Sequence, residues 1–231
     1  MISIRKARAR GCTQTNWLTS FHTFSFADYY DPAQMGFKHL RVINEDTVEP
    51  DNGFGKHPHQ NMEIISYVIE GALAHKDSMG TGSVIHQGEI QRMSAGIGVE
   101  HSEFNPSKTE KVHFLQIWLI PEQKNIKPEY EQKALPSVQN ELILIGARQG
   151  GEHTVIIHQD VKLYKANLMQ GQRIEYKFES DRCGWLQLIK GKIQLNGQEL
   201  SPGDGAGIQN EKKIQLTGLE NAELLLFDQK E

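Results

Sequence analysis

The residues with the clearest chemical potential are His57-Pro58-His59 and His101-Ser102-Glu103. Each motif separates two metal-ligating side chains by one residue. On an extended strand, side chains two apart point to the same face, so each pair can address a single ion. Together they offer three imidazoles and one carboxylate, a mixed nitrogen and oxygen set that suits Fe, Mn, Ni, Cu or Zn and lacks the thiolates of structural zinc sites. On a six-coordinate ion, four such ligands would leave two positions open for water, dioxygen or a chelating substrate, as in non-haem iron oxygenases.

Two such pairs converge only if strands carry them into a common interior. Between residues 35 and 120 the chain reads as short apolar and β-branched runs punctuated by Gly, Asn, Asp and Pro, the pattern of a small barrel or sandwich. Strands are expected at Leu40 to Asn44, Met62 to Glu70, Gly82 to His86, Ile90 to Met93 and Val112 to Ile120. The glycine-rich stretch Ala95 to Gly98 lets the backbone turn into the strand that carries His101 and Glu103. The segment Pro121 to Pro136 is polar, contains three prolines and has no repeating apolar face, so it reads as a connection between domains. Strand signals then resume at Glu141 to Ile145, Thr154 to His158, Leu163 to Leu168, Trp185 to Ile189, Lys192 to Leu195 and Leu224 to Phe227.

The halves repeat one another. Ile65 to Gly71 leads through a hairpin to Gly88-Glu89, and Leu186 to Gly191 leads through a hairpin to Gly203-Asp204, an order that suggests duplication. Counting back from the turn glycines sets Lys177 and Glu179 at the positions of His57 and His59, so the second half keeps no ligand pair. His153 and His158, five apart, fall on opposite faces of a strand and read as surface or packing residues. His22, Tyr29 and Tyr30 lie in an aromatic N-terminal segment that either covers the barrel mouth or completes its core. His39, His75, His86 and His113 sit singly in strand-like runs, and Met35, Met62 and Met93 read as core fillers.

The chain has 231 residues and a formal net charge of −4, and no cluster of Lys and Arg forms a phosphate-tracking stripe, which argues against direct nucleic-acid binding. Two cysteines, Cys12 and Cys183, lie far apart without partners at ligand spacing and read as reduced thiols. The start of the chain lacks the apolar run of a secretory signal, and no segment reaches 18 consecutive apolar residues. A cytoplasmic protein without membrane contact is expected.

His57, His59, Glu63 and Gly71 follow the first cupin motif, and Gly88, Gly96, His101 and Asn105 follow the second more loosely, with Ser94 in place of a proline. Phe21-His-Thr-Phe-Ser-Phe-Ala-Asp-Tyr-Tyr-Asp-Pro32, Leu40 to Asn44, His57-Pro-His59 and His101 to Asn105 resemble the pirin family, densely over residues 3 to 125 and diffusely beyond. The resemblance implies an all-β bicupin: two tandem jelly-roll barrels, residues 1–130 holding the metal and residues 131–231 without ligands. It implies one divalent transition metal per chain, Fe(II) in first place with Mn, Ni, Cu or Zn as alternatives, held by His57, His59, His101 and Glu103. Glu63 would then orient a ligand imidazole from behind.

Pirins are similar to quercetin-cleaving cupins. The implied activity is a quercetin 2,3-dioxygenase, which opens the heterocycle of a flavonol with dioxygen and releases carbon monoxide. Glu103, or a nearby carboxylate, would take the 3-hydroxyl proton. The partners expected are a planar phenol and dioxygen, with a monomeric chain. The alternative is a regulatory protein whose metal shapes a docking surface for an enzyme or transcription factor.

Overall fold

The computed structural model describes residues 1–231 and contains no α-helix, only strands and one short 3-10 turn at Ala7–Ala9. The chain forms two compact units. One comprises residues 11–135 and 148–159, the other residues 1–10, 136–147 and 160–231. The expected single division at residue 130 is therefore corrected twice over. The first ten residues join the C-terminal unit because Ile2–Arg5 pairs with Gly205–Ile208. Residues 148–159 join the N-terminal unit, where Glu122 N donates to His158 O and Ile156 N to Glu131 Oε2.

The N-terminal unit is two antiparallel sheets. The larger one runs Glu129–Ala134, Glu89–Ser94, Glu63–Glu70, Val112–Leu119, Leu40–Val48, Leu18–His22 and Gly11–Gln14. The smaller runs Gly53–His59, Val99–Phe104, Ala72–Asp77 and Gly82–His86. Apolar side chains that face inward, among them Val48, Val68, Leu73, Ile85, Val112 and Phe114, fill one end of the interior. Sheets that bury one face by alternation in this way are the standard solution for an antiparallel barrel.

The segment expected to be a linker contains the strand Glu129–Ala134, paired in full register with Glu89–Ser94. Its sequence, EYEQKA, lacks an apolar face because it lies at the edge of the sheet. Its polar side chains make the contacts instead: Tyr130 OH donates to Gln132 Oε1, and Glu131 meets Arg92 and Lys133.

The C-terminal unit repeats the topology. Gly205–Ile208, Arg182–Lys190, Ala222–Lys230 and Val161–Leu168 are neighbours in one sheet, and Arg173–Lys177, Lys213–Gly218, Ile193–Leu195 and Gln198–Leu200 form the other. The repeated turn glycines coincide in detail. Gly71 has φ +78 with its absent Cβ 2.7 Å from Lys111 O, and Gly191 has φ +72 with the equivalent point 2.1 Å from Asn221 O. Each admits the start of a central strand against the turn, and only a residue without Cβ fits both the dihedral and the space. Leu186, Leu188, Leu195, Leu216, Leu224 and Leu226 pack the interior of this unit solidly.

Candidate metal centre

Strand register brings the two motifs together. In the smaller sheet His101 lies opposite His57, Val99 opposite His59 and Glu103 opposite Phe54. The register shifts between His101 and Glu103, so the first strand carries one extra residue there. That bulge lets Phe54, three residues before His57, face the interior as well. The ring centroids of the three histidines are mutually 4.5 to 4.8 Å apart. Their ligating nitrogens lie within 4.8 Å of one another.

Burial, then repulsion from His101 and His57, lowers the pKa of His59 to about 4. Burial, then His57 and His75, lowers that of His101 to about 3. Both imidazoles are therefore neutral near pH 7, with lone pairs available. The 2.7 Å contact of His57 Nδ1 with the carbonyl of Gly55 requires a proton on Nδ1, so Nε2 is the nitrogen that this ring can offer to a cation. His101 Nε2 is buried without any hydrogen-bond partner. A buried orphan acceptor among unprotonated imidazoles is the environment that a cation would satisfy, so the donor set fits a transition metal.

Glu103, buried beside the histidines, groups with His75 and His101. Its Oε1 accepts from Ser66 Oγ at 3.1 Å and its Oε2 from Gln116 Nε2 at 2.6 Å. Ser66, Gln116, Asn44 and His22 are in lateral register on four adjacent strands of the larger sheet. They form a polar row facing the histidines. His22 Nδ1 donates to Asn44 Oδ1 at 2.9 Å, and Thr13 Oγ1 then donates to His22 Nε2 at 2.9 Å.

A cavity of about 180 Å³ lies between row and histidines, lined by His57, His59 and Glu103 and walled by Phe26, Phe54 and Trp118. The Trp118 ring meets His59 and Phe26 edge-on at 4.9 and 5.4 Å. The aromatic N-terminal segment thus does both things expected of it: Phe24 is in the core, while His22, Phe26 and Ala27 line the cavity. Tyr29 stacks on His22, whereas Tyr30 is 72% exposed and has no place in the site. Two lining side chains carry buried atoms without partners, Trp118 Nε1 and Asp46 Oδ1. Neither residue was expected in the site; Asn44-x-Asp46, two polar residues on the face that also carries Leu40, Val42 and Val48, was the signal.

The expectation that Glu63 supports a ligand imidazole is corrected. Strand alternation puts Glu63 on the face opposite Ser66, away from the cavity. Its Oε2 accepts from Ser94 Oγ at 3.0 Å and from His158 N at 3.1 Å. His158 is consequently a packing partner of Glu63, and His153 bonds the Ala134 carbonyl. His113 pairs with Glu45. In the C-terminal unit the strand Arg173–Lys177 buries Ile174 and directs Lys177 outward, and Tyr176 there lies opposite Ile214. The two groupings of metal-capable side chains both belong to the N-terminal unit.

Two barrels of one topology, of which only the first encloses a cluster of imidazoles, define a bicupin with a single metal site. Known proteins agree with that class. The pirin profile matches residues 3–119, and that of the quercetinase C-terminal cupin domain matches residues 144–229. The chain belongs to the pirin family. It is 45% identical to a quercetin 2,3-dioxygenase of Escherichia coli (strain K12), over 99% of this chain and 98% of that protein. It superposes on the crystal structure of YhhW from Escherichia coli with a TM-score of 0.97 at 44% identity, covering 99% of this chain and 97% of that one. The structure of the bacterial pirin YhhW in complex with nickel(II) gives a TM-score of 0.96 at 44% identity, covering 100% and 99%. The chain is accordingly a cupin metalloenzyme.

Proposed function

We propose that the N-terminal unit binds one divalent transition metal through His57, His59, His101 and Glu103 and cleaves the heterocycle of flavonols such as quercetin with dioxygen, releasing carbon monoxide. Fe(II) is the proposed resident ion, with Mn, Ni, Cu or Zn as replacements at a donor set of this kind. The observation that carries this reading is the convergence of three imidazoles, of which His57 and His59 line a cavity walled by flat aromatic rings and bounded by a buried carboxylate. Bound there, the metal would supply a Lewis acid for a chelating oxygen and for dioxygen chemistry.

The chain's own groups do the rest. Phe26, Phe54 and Trp118 form an apolar slot that accepts a planar phenol and excludes water. Glu103, held by Ser66 and Gln116, is fixed to receive the 3-hydroxyl proton of the flavonol at a carboxylate oxygen. The unpartnered Trp118 Nε1–H and the Asp46 carboxyl offer a donor and a second polar contact to the remaining ligand oxygens.

The test is to remove metal from the purified chain, reload it with each ion separately, and follow quercetin loss with oxygen uptake and carbon monoxide release. Turnover with at least one ion, abolished in Glu103→Ala, is expected. Stoichiometric metal binding with no turnover under any ion would leave the site standing and remove flavonol cleavage.

A further inference from the structure

Of the three clustered histidines, His101 alone is gripped from behind by another imidazole. Its strand is central in the smaller sheet, between Gly53–His59 and Ala72–Asp77, and the second pairing sets His101 opposite Asp77 and Glu103 opposite His75. His75 and Asp77 are two residues apart and share the buried face of their strand, with side chains fully excluded from solvent. His75 Nε2 lies 3.0 Å from Asp77 Oδ2, and His75 Nδ1 lies 3.4 Å from His101 Nδ1. The carboxylate is itself pinned, because Asp77 Oδ1 accepts from the backbone N–H groups of Met79 and Thr81 at 2.9 and 3.0 Å. The His75 ring packs against Tyr130 at 5.0 Å between centroids, and that phenol is tied to Ser83 and Gln132.

This chain of contacts has one consistent set of proton positions. Asp77 Oδ1 accepts from two backbone N–H groups and Oδ2 faces His75, so the short contact between them is a hydrogen bond with the proton on His75 Nε2. With its single ring proton on Nε2, the imidazole of His75 presents a lone pair on Nδ1. The contact between the two Nδ1 atoms is a hydrogen bond only if His101 bears its proton there. His101 Nε2 is left as the bare nitrogen, and it is the atom found buried without a partner. Metal-bound histidines ordinarily hand their second N–H to a carboxylate or carbonyl; here a second imidazole stands between the histidine and its carboxylate.

We infer that His75 and Asp77 are positioning residues that fix the tautomer and ring orientation of His101, so that its Nε2 lone pair joins those of His57 and His59 toward a cation. The inference rests on the metal centre proposed above and extends it to residues behind it. A positioning role differs from simple burial of a His–Asp pair, because substitutions of similar size then differ in their consequences. His75→Gln keeps an acceptor for His101 and a donor for Asp77. His75→Leu removes both. Asp77→Asn preserves the acceptor toward Met79 and Thr81 while offering N–H to His75 Nε2. The His75 proton must then move to Nδ1, and the His101 proton to the nitrogen that faces the site.

The experiment is a competition titration of the metal-free chain with Ni(II) against a chelator, beside nitrogen-15 spectra of the imidazoles in the same metal-free samples. His75→Leu and Asp77→Asn should bind Ni(II) about 10- to 100-fold more weakly, the usual consequence of losing such a supporting partner, while His75→Gln stays near wild type. Wild-type His101 should show the Nδ1–H tautomer and Asp77→Asn the Nε2–H tautomer. Wild-type affinity in a folded Asp77→Asn, or an Nε2–H tautomer in the wild type, would overturn the positioning role while sparing the metal centre. Failure of the wild-type chain to bind any transition metal would overturn both.

Discussion

Asp46 is a carboxylic acid in the wall of the cavity, 4% exposed, with Oδ1 lacking a partner. Its pKa is raised from the ordinary 3.8 to about 7, first by burial and further by Glu103 and Glu45, against a hydrogen bond from Ser20 and the influence of His113. The folded chain thus holds this proton more tightly than the unfolded chain does. The resulting stabilisation is complete below pH 3.8 and is lost as the pH rises toward about 7, after which nothing more is lost. At about 1.4 kcal/mol per pH unit, the interval amounts to on the order of 4 kcal/mol. Asp46→Asn replaces the acid with a neutral group of the same shape and removes the dependence. In chelator-treated protein, chemical unfolding across this range should show the variant gaining on the wild type by about 1.4 kcal/mol per pH unit, levelling off near neutrality. A difference between the two that does not change with pH would mean that Asp46 titrates as an ordinary surface carboxyl, and the account of Asp46 as a buried acid that holds its proton would fall.

Three further outcomes follow from named contacts. Gln116→Leu removes the 2.6 Å donor to Glu103 Oε2 and should lower kcat for a flavonol by about 10- to 100-fold, the equivalent of roughly 1.5–3 kcal/mol for a bond to a charged group, with metal content unchanged. Trp118→Phe retains the aromatic face but deletes the unpartnered Nε1–H, so KM should rise more than kcat falls, read from steady-state kinetics. Gly191→Ala, at φ +72 and with the added carbon 2.1 Å from Asn221 O, should destabilise the C-terminal unit by about 1–3 kcal/mol or more in thermal unfolding while leaving Ni(II) affinity intact.

The strands built from short apolar and β-branched runs were legible because turn residues such as Gly, Asn, Asp and Pro punctuate them. Gly82–His86 was expected at its observed bounds, and Val112–Leu119 within one residue. Glu129–Ala134 was not, since an edge strand can satisfy its side chains with polar partners and so leaves no apolar trace. The interleaving of the two units was invisible for a different reason: the pairing of Ile2–Arg5 with Gly205–Ile208 spans nearly the whole chain, and nothing local encodes it. Within the site, His57, His59 and His101 were readable from spacing alone. His75 was read as solitary although His75-x-Asp77 has the same one-residue gap as His57-x-His59. Its neighbour across the sheet, His101, became visible only through register.

The contrast between the units explains why a site exists in one and not in the other. Ser66 lies five residues before Gly71, opposite Gln116 and then Asn44 across the sheet. Five residues before Gly191 stands Leu186, opposite Leu226 and then Tyr164. The row that holds Glu103 in the first barrel is thus occupied by bulky side chains in the second, and the positions facing it include Ile174, Ile214 and Leu216. A ligand carboxylate placed there would meet apolar side chains in place of the Ser66 and Gln116 donors, with the Tyr164 hydroxyl as the one polar group in the row, and would bear most of the cost of burial. The second barrel therefore lacks the supporting layer as well as the ligands. That layer consists of Ser66, Gln116, Asn44 and His22 on one side and, by the inference above, His75 and Asp77 on the other, so restoring histidines alone to the second barrel would not restore the chemistry.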